Sequence, residues 1–294
     1  MRRAVCILGK TMGDAMTDAL ASTFFATTIN VGVAHIEMNR PEKANAMTPD
    51  FWADLPRILG VLDADPAVRA IVLSGRGKHF SGGMDLAAFQ GIMALAQAEP
   101  ARGAYALRDL ISRYQAALTR LELARVPVIA AVQGVCLGGG IDLITACDIR
   151  LASADASFAI EEIHIGMAAD VGTLQRLPKL MAPGVVRELA YTGRRFSAED
   201  ARGWGVVNAV HPDAAAVVTA ALEMAHQIAA KSPLAIAGIK RAVTYARDHS
   251  VAEGLDQIAT WNAGMLRAGD LMRAIQAKMA KGQASFDDLL PDAG

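Results

Sequence analysis

Three carboxylates stand out as groups that could do chemistry together: Asp142, Glu162 and Asp170. Asp142 follows Gly138-Gly139-Gly140 in the run GVCLGGGIDLITACDIR, and the other two lie in AIEEIHIGMAADVGTLQRLPK. Acidic side chains are seldom placed in apolar surroundings unless something pairs with them or uses them. Three of them framed by glycines suit general acid–base chemistry beside a backbone anion site. Each also has a plain structural reading. Asp142 could complement the first turn of the helix that starts at the glycines. Asp170 could cap the helix that continues as TLQRLPK. Glu161 and Glu162 are adjacent, so in an extended segment one of them faces solvent.

Two glycine loops could supply the anion site. One is Phe80-Ser81-Gly82-Gly83-Met84-Asp85, and the other is Gly138-Gly139-Gly140. Glycine lets a backbone approach a ligand closely, and the first N–H groups of a helix have no partner within it. Two such groups aimed at one oxygen would form an oxyanion hole. Taken singly, each loop is equally a tight turn. Other chemistries find no pattern. His35, His79, His164, His211, His226 and His249 lack metal-ligand spacing. There is no P-loop, no complete GxGxxG fingerprint and no GxSxG elbow.

The elements that must position these residues alternate between strand and helix. Residues 28–38 read as a strand. Thr48-Pro49 starts a helix through FWADLPRILGVLDAD, which Pro56 should disturb. Residues 68–74 form a buried strand, followed by the loop GRGKHFSGGMD. Residues 85–124 are helical with a break near Pro100 and Gly103. Residues 127–135 are a second buried strand, leading through the glycines into the helix IDLITAC. Short strands follow near 148–152 and 157–160. Ser197 caps a helix with Asp200 in its first turn. From residue 213 the pattern is helical, broken at Ser232-Pro233 and near Gly269-Asp270. This order implies an α/β core followed by helices.

The chain has 294 residues, is 53% hydrophobic and 20% charged, and carries a formal net charge of -1. That balance argues against a nucleic-acid or membrane-surface partner. Cys6, Cys136 and Cys147 lack CxxC spacing and read as free thiols of a reducing compartment. Residues 1–26 contain two early arginines and a short apolar piece interrupted by Lys10, Asp14 and Asp18. They are expected to be a frayed or partly ordered extension. With no legible import signal and no terminal SKL, the expected setting is a bacterial cytoplasm.

The stretches NRPEKANAMT, AIVLSGRGKHFSGGMDL, PVIAAVQGVCLGGGIDLITACDIRLAS, FAIEEIHIGMAADVGTLQRLPK and FSAEDARGWGVVNAV, in this order, resemble the crotonase (enoyl-CoA hydratase/isomerase) superfamily. The resemblance implies an α/β crotonase-like spiral of ββα units over 27–212. It implies a helical region over 213–294 used for trimers, or hexamers built from two trimers. It implies an acyl-CoA thioester substrate, with coenzyme A as part of the substrate and no separate cofactor or metal. The oxyanion hole maps to the backbone N–H groups of Met84 and Gly139. The CoA end maps to Lys43, Ala44, Ala46, Gly82 and Asp85.

Within the family, hydratases are expected to carry glutamates at 142 and 162 and a glycine at 170. The set Asp142, Glu162 and Asp170 is instead similar to that of the delta(3,5)-delta(2,4)-dienoyl-CoA isomerases. The implied reaction is a 1,5 proton shift through an enolate. The alternatives are an enoyl-CoA hydratase, a mono-ene isomerase, or a non-catalytic scaffold or RNA binder of the same fold.

Overall fold

The computed structural model describes residues 16, 18–266 and 269–290. Most of the expected N-terminal extension, including Cys6, lies outside the described residues. Its end is ordered: Phe24 and Phe25 are buried, and the Ser22 hydroxyl donates to Asp54 at 2.6 Å.

Among the described residues nine strands run in chain order: β1 (Phe25–Asn30), β2 (Val33–Met38), β3 (Ala70–Gly75), β4 (Val128–Val132), β5 (Val135–Leu137), β6 (Ile149–Ser153), β7 (Ser157–Ala159), β8 (Phe196–Ser197) and β9 (Ala209–His211). They form two sheets, with orders β1-β2-β3-β4-β6-β9 and β5-β7-β8. The chain visits one sheet and then the other: β4 then β5, β6 then β7, β8 then β9. This repeated crossing is the spiral that the resemblance implied. In the larger sheet β2, β3, β4, β6 and β9 are parallel, and β1 is an antiparallel edge.

The helices are α1 (Pro49–Ala64), α2 (Leu86–Ala96), α3 (Pro100–Leu123), α4 (Gly139–Thr145), α5 (Thr173–Arg176), α6 (Pro183–Thr192), α7 (Ala198–Gly203), α8 (Ala214–Ala229), α9 (Pro233–Asp248), α10 (Val251–Met265) and α11 (Asp270–Met279). No helix among the described residues is long and apolar enough to cross a membrane.

The large sheet is buried on both faces, as parallel sheets are. Side chains alternate across it. Ile36, Met38, Ile71, Leu73, Val128, Ala130 and Val132 face the main core. Val33, Ala70, Val72, Ile129, Ala131 and Leu151 face α8, which answers with Val217, Ala221, Ala225 and Ala229. Alanines at every fourth position make a flat stripe that lies close to the strands. Beyond α8, α9 sends one lysine inward. Lys240 Nζ donates to the carbonyls of Leu121 and Val126, each at 3.0 Å, and to Asp148 at 2.8 Å.

Three expectations are corrected. The strand over 28–38 is a hairpin, turning at Val31-Gly32 with φ of 45° and 76°. Positive φ at both positions is the primed two-residue turn that suits twisted strands. A β-branched residue is a poor choice there, which hid the turn. The strand over 127–135 is two strands in different sheets. The break is at Gly134, with φ 56°, where a Cβ would strike the carbonyl of Lys78. Pro56 does not disturb α1, which runs unbroken from Pro49 to Ala64. Burial of Phe51, Trp52, Leu55, Ile58, Leu59 and Leu62 outweighs the one backbone bond that proline removes. Trp52 also stacks on Tyr114 of α3 at 4.2 Å.

Val31 is largely exposed, so its substitution tests the turn alone. Val31→Asn should stabilise the protein by roughly 1 kcal/mol, because asparagine tolerates the left-handed region better than a β-branched residue. Urea denaturation of the two proteins at one concentration measures it. No gain would mean that the turn carries no strain.

Candidate active site

The site is built where loops from both sheets meet. Ser81 joins the first loop to β5: its N–H donates to Val135 and its carbonyl accepts from Leu137, each at 3.0 Å. The Met47 N–H donates to the Gly83 carbonyl at 2.8 Å, and the Asp85 N–H donates to the Met47 carbonyl at 3.0 Å. Gly83 has φ 88°, and a Cβ there would lie 2.9 Å from the Leu137 carbonyl and 3.7 Å from the Gly139 nitrogen. Only glycine permits that contact. It brings the Met84 and Gly139 N–H groups onto adjoining backbones. Neither N–H finds an acceptor among the described residues. Two unpaired donors side by side can receive an oxygen that is gaining negative charge.

The acids border these donors. Asp142 is only 1% exposed, and its Oδ1 accepts the Thr173 N–H at 2.6 Å. It therefore caps a helix, but α5 rather than its own. Burial pushes its pKa up to about 6, against the pull of Thr173, and the charge of Asp170 adds to the rise. Glu162 lies in a 3₁₀ turn spanning Glu161–Ile165, not in an extended segment. The expected division still appears: Glu161 turns toward His164 at 3.9 Å, while Glu162 Oε2 is buried with no partner among the described residues. Burial first, and then the charge of Asp142, push the Glu162 pKa up to about 7. Its Oε1 would lie 3.1 Å from a Cβ on Gly138, whose φ is 48°. The glycine thus admits the carboxylate beside the oxyanion donors.

Asp170 does not cap α5 with its side chain, since the position before that helix is Gly172 and has no side-chain cap. Its carbonyl accepts from Gln115 Nε2 at 2.6 Å, and burial raises its carboxyl pKa. Asp142 feels the charge of Asp170, and Glu162 feels the charges of both, so the three titrate as a coupled set. Carboxyls raised toward neutrality can both give and take protons. Among the described residues no group of three His, Cys, Asp or Glu side chains is arranged to hold a metal ion.

The structure draws the five residues expected at the CoA end onto two facing loops. The Gly82 N–H donates to the Ala44 carbonyl at 2.7 Å, Ala46 follows in the same loop, and Lys43 is exposed at its rim. Asp85 forms an ion pair with Arg40 at 2.5 Å, and Arg40 also donates to the Ala46 carbonyl at 3.0 Å. Asp85 thereby fixes the loop. Sequence reasoning missed Arg40 and Asn45. Asn45 is fully buried, and its amide donates to the carbonyls of Arg76 and His79 at 3.0 and 2.8 Å. A buried amide in a loop has no periodic signature. Its φ of 51° is one that asparagine tolerates, but only in hindsight.

The raised pKa of Glu162 has a stability consequence. In the unfolded chain this carboxyl titrates near its ordinary value of 4.5, and in the folded protein near 7. Between those values the folded state binds the proton more tightly. Stability therefore falls as pH rises through this window, and the loss is complete above it. Glu162→Gln cannot ionise, so at pH 8 it should be more stable than the parent by up to ~3 kcal/mol. Most of that gap should vanish by pH 5. Denaturant midpoints at the two pH values check it, and an equal gap at both would refute the raised pKa.

With the geometry in place, comparisons give it context. A family model described as enoyl-CoA hydratase/isomerase matches residues 28–288. The mitochondrial delta(3,5)-delta(2,4)-dienoyl-CoA isomerase of Rattus norvegicus is 44% identical, covering 92% of this chain and 84% of its own. The peroxisomal enzyme of that name from Arabidopsis thaliana is 44% identical, covering 87% of this chain and 93% of its own. The crystal structure of an enoyl-CoA hydratase from Bacillus anthracis superposes with a TM-score of 0.82 at 29% identity, covering 90% of this chain and 99% of its own. These relatives overturn the expected bacterial cytoplasmic setting, because the two isomerases are eukaryotic and carry mitochondrial or peroxisomal names. That expectation rested on failing to see an address, and a missing address has no positive content. By the matched model, the shared identity and the shared fold, the chain belongs to the enoyl-CoA hydratase/isomerase family.

Proposed function

We propose that the chain converts 3,5-dienoyl-CoA thioesters to 2,4-dienoyl-CoA thioesters. The carrying observation is a third acid: Asp170 joins Asp142 and Glu162, and its carboxyl is raised by burial like theirs. The isomerase relatives of rat and Arabidopsis thaliana support the reading.

The bond changes set what the site must do. Moving the double bonds from 3,5 to 2,4 removes a proton from carbon 2 and adds one at carbon 6. The intermediate is a trienolate, with charge spread from the thioester oxygen over carbons 2, 4 and 6. Met84 and Gly139 N–H groups receive that oxygen, where the gain is greatest in the transition state. The two proton transfers fall to Glu162 and Asp170. Two separated carbons need two acid–base groups. Asp142, fixed by Thr173, sets the field in which they titrate. All the chemistry is proton transfer, so coenzyme A enters only as part of the substrate. The loops carrying Lys43, Ala44, Ala46, Gly82 and Asp85 receive its CoA end.

We extend the proposal to assembly. No residue of α10 or α11 is buried, and Val251, Leu255, Met272, Ile275 and Met279 are exposed on them. Apolar helices left uncovered in this way suit packing against other copies in a trimer or a pair of trimers.

A spectrophotometric assay tests the reaction. With a 3,5-dienoyl-CoA the conjugated 2,4-dienoyl product should appear quickly, and a 2-enoyl-CoA should be hydrated slowly. Asp170→Asn should lower the isomerisation kcat by about 10²-fold or more, with an unchanged circular dichroism spectrum. Fast hydration without conjugation would make the protein a hydratase. Near-full activity of the variant would remove Asp170 from the mechanism.

A further inference from the structure

We propose that a polar stripe on α3, formed by Gln115, Thr119 and Glu122, positions the acids of the proton relay by clamping the segment 170–176, with Arg176 as the positioning residue on that segment. This rests on the isomerase reading above. The three stripe residues are spaced four and three apart, so they share one face of the helix. Each of them binds the segment. Gln115 Nε2 donates to the Asp170 carbonyl at 2.6 Å. Arg176 donates to Thr119 Oγ1 at 3.1 Å and to Glu122 Oε2 at 2.8 Å. Arg247 of α9 grips the other oxygen of Glu122 at 2.8 Å. Burial works against the Glu122 charge, but the hydrogen bonds from Arg247 and Arg176 outweigh it and keep its pKa low.

The clamped segment carries two parts of the relay. Asp170 is its first residue. Thr173, which gives Asp142 its N–H, begins α5. A helix of four residues has no stability of its own, so its place is set by what ties it down. Gly172, at φ 137°, leaves the space through which the Arg176 guanidinium folds back, and a Cβ there would collide with it. Arg176 is thus held between α3 and the turn that follows Asp170.

Charge points the same way. The groups that face Asp142 are Glu162 from the 3₁₀ turn, Asp170 from the segment, the Cys136 thiol from β5 and Arg176 from α5. Of these Arg176 is the cation, and it opposes the rise in the Asp142 pKa. The CoA-end loops lie elsewhere in the chain, so the stripe should govern turnover more than substrate affinity.

The test uses the full-length protein and a 3,5-dienoyl-CoA. Arg176→Met should lower kcat by about tenfold or more and leave KM within about twofold. The acid limb of its pH–rate profile should move to higher pH, because the coupled set of three acids loses the cation that opposes its rise. Arg176→Lys should return the limb toward its original position while recovering only part of kcat, since lysine supplies the charge without the fork. Gln115→Ala removes one exposed amide without touching the core, and should lower kcat about threefold or more by freeing Asp170. It keeps the proposal testable if Arg176→Met does not fold. Parent-like kcat and pH profiles in folded Arg176→Met, or parent-like kcat in Gln115→Ala, would overturn the clamp. A parent protein that does not isomerise the substrate would sink the functional reading instead. Infrared titration of carboxyls in protein carrying ¹³C-aspartate would then decide the clamp: an unshifted Asp142 in Arg176→Met or, if that does not fold, an unshifted Asp170 in Gln115→Ala overturns it.

Discussion

The hydrogen bond from the Thr173 N–H to Asp142 is the contact on which the site depends. It spans 2.6 Å between a fully buried carboxylate and the first residue of a four-residue helix. Neither end is stable alone. A buried carboxylate without a donor would neutralise or move, and so short a helix does not persist unaided. Joined, they fix Asp170, three residues upstream, relative to Asp142. Burial and like charge push the Asp142 pKa up, Thr173 pulls it down, and the result lies about 6. Glu162, whose buried Oε2 has no partner among the described residues, rises further, to about 7.

Steric permission is the second constraint. The donors and the acids converge only because side chains are absent at three points. A Cβ at Gly83 would meet the Leu137 carbonyl, one at Gly138 would meet Glu162, and one at Gly139 would meet Met47 Sδ at 3.0 Å. The sheets explain why the loops are there to converge. The segments that follow β2 and β3 meet β5 here, and the bridges Met47–Met84 and Ser81–Cys136 fasten them together. Binding loops on a rigid scaffold are a common division of labour. Here the scaffold also supplies the charge environment, because its apolar packing desolvates the acids.

The helical C-terminal region is divided in its physics. α8 completes the core by covering the second face of the large sheet. α9 anchors itself through Lys240 and supports Glu122 through Arg247. No residue of α10 or α11 is buried in the single chain. One region thus serves the sheet, the site and an outward apolar surface in turn.

The sequence by itself determined the alternation of elements, the glycine loops and the three acids. Those features are local: hydrophobic period, caps such as Ser197 with Asp200, and residue types that are costly unless used. They also sufficed for the family resemblance. Tertiary structure decided the rest, because it concerns distant partners. No local pattern says that Asp142 caps a helix beginning at Thr173, that Gln115 holds Asp170, or that Arg40 pairs with Asp85. Nor could propensity foresee a left-handed Val31 or an undisturbed Pro56. At Pro56 packing on neighbouring elements, and at Val31 the pairing of β1 with β2, outweighed a preference of about 1–3 kcal/mol written in the residue itself.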